Sequence, residues 1–94
     1  MLNQFMVIGK IEGIQEDEIH HRLLLHVSSR KAFLSEEGEL KEDHFQLEIW
    51  KGIWTECLAI AKVGQYIAAK GRLESHVEHG LCLMVEKLSY FPMV

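Results

Sequence analysis

Ninety-four residues, 48% hydrophobic and 26% charged, are enough for one small core and too apolar for a disordered chain. No apolar run reaches the roughly 20 residues that cross a bilayer, and the opening Met1-Leu2-Asn3-Gln4 lacks the basic stretch of a signal peptide, so a cytoplasmic, non-membrane chain is expected. The formal charge is −4, which argues against a basic nucleic-acid footprint, but segment 34–43 alone carries −4 and the other 84 residues sum to zero.

Period-two patterning dominates the chain. The first strand is predicted over 4–12, with Gln4, Met6, Ile8 and Lys10 on one face and Phe5, Val7, Gly9 and Ile11 on the other. Gly9 in mid-strand predicts a bend or a close backbone approach. An acidic loop follows at Glu16-Asp17-Glu18. The second strand covers 21–31, with Leu23, Leu25 and Val27 facing one way and Leu24, His26, Ser28 and Arg30 the other. The acidic, Gly-containing segment 34–43 reads as a loop or hairpin tip. The third strand, 43–51, alternates most cleanly: Phe45, Leu47 and Ile49 share one parity, and His44, Gln46, Glu48 and Trp50 the other. A short helix is predicted over 54–62 from Trp54, Leu58 and Ala61, with Cys57 beside them and Gly64 at the C′ position. The fourth strand covers 65–75 and the fifth 80–90, joined by a turn near His79-Gly80. The one proline, Pro92, interrupts none of them. The order β-β-β-α-β-β predicts an all-β chain with one short helix: a five-stranded Greek-key OB-fold barrel, with 1–94 as a single domain.

Trp50 is the sharpest functional feature. It shares the polar parity of the third strand, where a tryptophan is an exposed platform unless the helix, a loop or a neighbouring subunit covers it. Proteins that hold single strands use such aromatics for base stacking. Lys10, Arg30, Lys31, Lys51, Lys70 and Arg72 occupy outward positions from which phosphates are neutralised, although any one of them taken singly reads first as a solvated surface charge. Phe33, close to Arg30 and Lys31, is either a stacking residue or a plug at the barrel end. Trp54, at the start of the helix, reads as packing. His20-His21 are adjacent and His76 and His79 straddle a turn, and neither arrangement presents three or four convergent ligands, so no metal or cofactor is expected. Cys57 and Cys82 read as buried small residues rather than as a disulfide or metal pair. No nucleophile–base set or phosphate loop stands out, so the chain reads as a binding module and not as an enzyme.

Several stretches resemble the bacterial single-stranded DNA-binding protein family. Met6-Val7-Ile8-Gly9-Lys10-Ile11 is similar to its opening strand, and Asp43 to Lys51 resembles its third strand, ending in an aliphatic pair, an aromatic and a basic residue. From Trp50 to Gly64, and on through Lys70-Gly71-Arg72-Leu73, the spacing matches without a gap, and Val85 to Phe91 resembles the last strand. The resemblance implies an OB-fold that binds single-stranded DNA in replication, recombination or repair. It puts Trp50 at a base-stacking position, His44 where many members carry another aromatic, and Phe33 before the second-to-third-strand loop. Lys10, Arg30, Lys31, Lys51 and Arg72 match positions that often contact the DNA backbone. It also implies a homodimer or homotetramer and replication or primosome proteins as partners; single-stranded RNA is a further ligand for the same platform. The first loop and the last hairpin are shorter than the family's, and the family's acidic tail is missing after Tyr90-Phe91-Pro92-Met93-Val94, as expected of a truncated or short member comparable to primosomal replication protein. The acidic loop supports a second reading, a protein–protein adaptor of the replication machinery with weak or no DNA binding.

Overall fold

Alternation builds the strands, and one bent strand closes them on themselves. The computed structural model describes residues 2–34 and 36–92, apart from the side chains at 32–34 and 40. β1 (Phe5–Asp17), β2 (Arg22–Leu34), β3 (Leu40–Ile49), β4 (Tyr66–His76) and β5 (Gly80–Tyr90) form a closed barrel in the order β1-β2-β3-β5-β4. A 3-10 turn at Lys51–Ile53 and the seven-residue α1 (Trp54–Ile60) lie between β3 and β4. This is the OB-fold that the element order predicts.

β1 serves two neighbours. Phe5–Lys10 pair with β4 and Lys10–Asp17 pair with β2, with a register shift between Ile11 and Gly13. A bulge at that point bends the strand and increases its twist, which is how one sheet turns the corner of a barrel. Gly9 makes the close approach expected of it: a Cβ there would press on the backbone carbonyl of Ser28. Gly71 is tighter still, since a Cβ would run into the Met84 carbonyl on β5. The barrel is sealed by β3 against β5, a parallel pairing of three rungs from Leu47↔Leu83 to Ile49↔Val85.

The inward parity fills the barrel. Ile11, Leu23, Leu25, Val27, Leu47, Ile49, Ile67, Ala69 and Val85 are buried together with Cys57 of α1, and Phe5, Val7, Phe45 and Trp54 pack against them. Removing such side chains from water, at about 1.5–3 kcal/mol each for Val, Leu and Ile, drives closure. Both cysteines are free and buried, and burial pushes each thiol above its ordinary range.

The structure departs from the sequence pattern in four places. β1 continues through Glu16 and Asp17, and β2 and β3 continue to the rung Leu34↔Leu40, so segment 34–43 is a hairpin tip with its turn at residues 36–39 among those described. Its alternation is obscured because Glu36, Glu37, Glu39, Lys41 and Glu42 are all exposed, so charge falls on both parities. α1 is shorter than 54–62 and seats only Cys57 fully; Leu58 is 49% exposed, because one short turn of helix covers only a narrow stripe. Gly64 does take a left-handed φ of 93°, but it lies in the turn after the helix and donates its N–H to the Ile11 carbonyl at 2.8 Å. Leu24, on the outward parity, is only 2% exposed. Its rung runs through Gln15, Glu48 and the buried Met84, so two apolar side chains alternate with two polar ones across the outer surface.

Gly71→Ala is expected to destabilise the fold by about 1–3 kcal/mol through overpacking. Gly13→Ala, whose Cβ meets only the His26 side chain at 3.7 Å, is expected to stay within about 0.5 kcal/mol of the parent. Urea denaturation midpoints of the two variants check this.

Candidate nucleic-acid interface

Trp50 follows the last residue of β3 with its backbone held on both sides. Its N–H donates to the Val85 carbonyl at 3.0 Å, and its own carbonyl accepts from the Ile53 N–H at 3.0 Å. The ring lies across Gly52 so closely that a Cβ there would collide with its six-membered edge. The six-membered ring of the indole therefore lies against Gly52, and the residue is 49% exposed. The polar parity read from the sequence is the parity observed. Trp54 has the opposite environment: its indole N–H donates to the Ile49 carbonyl at 2.6 Å and its ring packs on the core. Lys51 lies 5.9 Å from the Trp54 ring centroid, a cation–π contact that keeps its charge beside the end of β3.

The predicted cations divide among several surfaces. Lys10 and Arg30 line one groove of about 480 Å³ with Ser28, Ser29 and Tyr66, and Glu12 and Glu42 line it as well. Ser28 donates to Glu12 at 2.7 Å, which ties down one of those acids. His44 is exposed and stands opposite Ser28 on the next strand. Lys31 is paired with Asp43 at 3.1 Å. Lys70 stands between Met6 of β1 and Lys87 of β5, on another part of the barrel. Arg72 is engaged by Glu74 at 2.6 Å. Phe33 lies in β2, but its side chain is outside the described residues.

Tyr66, which sequence reasoning passed over, is 55% exposed and directly opposite Lys10. The test that singled out Trp50, an aromatic on an outward parity, would have found it beside Lys70 and Arg72. The β1–β2 and β4–β5 turns bring His20 and His79 together, with ring centroids 4.8 Å apart, a meeting that neither histidine pair shows in the sequence.

Electrostatics are strongest where β1 ends. Asp17 accepts from His20 through Nδ1 at 2.9 Å and through the backbone N–H at 3.2 Å, and from Arg22 at 3.2 Å. These bonds, those from His20 first, hold its carboxyl down at about 2. Arg22 also lies 3.6 Å from Glu48, and the Arg22 Nε and Glu48 Oε1 atoms are buried without a hydrogen-bond partner. The acids of the hairpin end are partly spent locally, Asp43 on Lys31 and Glu39 on Lys41.

The barrel and the placement of its helix define an OB-fold protein. Solved structures similar to it include a small single-stranded DNA-binding protein from Mycoplasma pneumoniae, at a TM-score of 0.74 and 20% identity, covering 98% of this chain and 94% of that one. The small single-stranded DNA-binding protein from Streptomyces coelicolor aligns at a TM-score of 0.68 and 9% identity, over 97% and 95% of the two chains. The dimeric N-terminal domain of PriB protein from Thermoanaerobacter tencongensis aligns at 0.63 and 15% identity, over 97% and 98%. No protein-family model and no curated protein matches the chain. Among the described residues no helix is long and apolar enough to cross a membrane.

Asp17 supplies a pH prediction. Its carboxyl is held below the ordinary 3.8 in the folded chain, so its contribution is full above that value and lost as pH falls through about 2. Asp17→Asn is expected to flatten the acid limb of the stability–pH curve, measured by urea unfolding between neutral pH and the acid transition.

Proposed function

We propose that this chain binds single-stranded DNA with little sequence preference, in replication, recombination or repair. Bases stack on Trp50, and the backbone is held by Lys10, Arg30 and Lys51, with His44 along β3 between them. Trp50 carries the reading: a large indole, half exposed on the polar parity at the end of β3, fixed through its backbone and packed against Gly52. A core residue would be covered, and a chance surface aromatic would not have its ring seat cleared by a glycine. The fold is shared, over nearly the whole chain, with proteins described as binding single-stranded DNA. Lys31, Phe33, Lys70 and Arg72 belong to the same proposal as flanking contacts, although Lys31 and Arg72 must exchange Asp43 and Glu74 for phosphate.

A net charge of −4 limits the electrostatic contribution of one chain. Pairing of chains offsets this by placing two weak grooves on one strand. Met6 and Ile8, 66% and 56% exposed on the outer face of β1, supply an apolar surface for a homodimer or homotetramer.

Titration with poly-dT at low salt is expected to quench tryptophan fluorescence, with affinity falling as salt rises. Trp50→Ala is expected to cost about 1–3 kcal/mol of binding for each stacked base lost. Gly52→Ala, which displaces the ring without removing it, should weaken binding in the same direction while the chain stays folded. Trp54→Ala should act mainly on stability. A folded protein that shows no quenching at low salt would sink the reading. Ile8→Glu is expected to shift the assembly toward monomer in sedimentation.

A further inference from the structure

The turn between β1 and β2 and the turn between β4 and β5 meet through side chains of an unusual kind. Each exposes its aliphatic residue, Ile19 at 85% and Val77 at 106%, and directs imidazoles toward the other. Ordinary burial would do the reverse. The side chain of His79 is only 17% exposed at this junction. The ligand atoms of His20, Glu78 and His79 all lie within 4.8 Å of one another, the one such group of His, Cys, Asp or Glu among the described residues. The His76 ring stands 5.7 Å from that of His79.

The orientation of His20 is set from behind. Its Nδ1 bonds to the Asp17 carboxylate at 2.9 Å, which leaves Nε2 as the nitrogen with a lone pair to give. A carboxylate behind a histidine in this way fixes the ring and raises its basicity as a metal ligand. The same Asp17 accepts the His20 backbone N–H and an Arg22 N–H, so it is held in turn.

We propose that His20, Glu78 and His79 form a binding site for a divalent transition-metal ion, Zn²⁺ by ligand type, that clasps the two turns together. Two imidazoles and one carboxylate, with no thiolate, suit a borderline ion such as zinc. The fourth position falls to water or to His76. Tetrahedral zinc holds its ligand atoms roughly 3.4 Å apart, so the ion draws in side chains that already face one another on two exposed turns. The clasp fixes one end of the pocket that Arg22, Gln46, Glu48 and Cys82 line with His79. Metal capture at these turns is independent of DNA binding at Trp50.

The test titrates metal-free protein with Zn²⁺ against a chromophoric chelator, and with Co²⁺ as a visible-absorption probe of tetrahedral geometry. One ion per chain is expected, with tetrahedral cobalt bands and a rise in Tm on adding zinc. His20→Ala and His79→Gln should each weaken binding at least about tenfold and abolish the Tm rise, with circular dichroism unchanged. Asp17→Asn should weaken it by about 10–100-fold, and Cys82→Ser should leave it intact. Failure to bind one equivalent, or affinity unchanged from the parent in the two histidine variants, overturns the site. So does loss of binding in Cys82→Ser, which would move the metal to the thiol.

Discussion

Everything in this barrel depends on β1 changing partners halfway along its length. Its first rungs belong to β4 and its last to β2; Lys10 pairs with both, and the bulge between Ile11 and Gly13 follows directly. Without that bend the five strands would form an open sheet with two wet edges. With it, the inward residues of all five strands meet around one core, and two glycines let the backbones cross where any side chain would hold them apart. The two hairpin turns and the groove between β1 and β2 take their positions from the same closure.

The two tryptophans show how closure assigns different work to residues four apart. Both stand where β3 gives way to the helix. Trp54 donates its indole N–H to Ile49 and joins the core, so it anchors the helical connection to the strand it leaves. Trp50 has its backbone fixed by Val85 and Ile53 and its ring against Gly52, so its position is determined while its outer side stays open. Rigid backbone under an exposed ring is what a stacking surface requires, because little conformational freedom remains to be lost when a base arrives.

The barrel was legible because period-two alternation directly reports which face of a strand is dry. The bounds of β5 fall at 80–90 as predicted, and Trp50 emerges on the outward parity. Legibility failed where a face is neither wholly core nor wholly solvent. The hairpin ends of β2 and β3 carry exposed charge and left loop and hairpin tip both open, while Leu24 is outward yet buried between Gln15 and Glu48 on its rung. The groove joining Lys10, Arg30 and Tyr66 depends on two strand registers, and the meeting of His20 with His79 depends on the relative placement of two hairpins. Neither is encoded in any local window of sequence.

The parallel seam carries a kinetic consequence. Three rungs join Leu47–Ile49 to Leu83–Val85, and the chain between them must first complete the helix, β4 and the last hairpin. Contacts so distant in sequence repay the entropy of closing their loop only late, so this seam is the natural last step of folding and the barrel's latch. The hydrogen bond from the Trp50 N–H to the Val85 carbonyl is the next link beyond the third rung. The indole proposed to meet DNA therefore sits on the latch itself, and its fluorescence reports both whether a strand is bound and whether the barrel is shut.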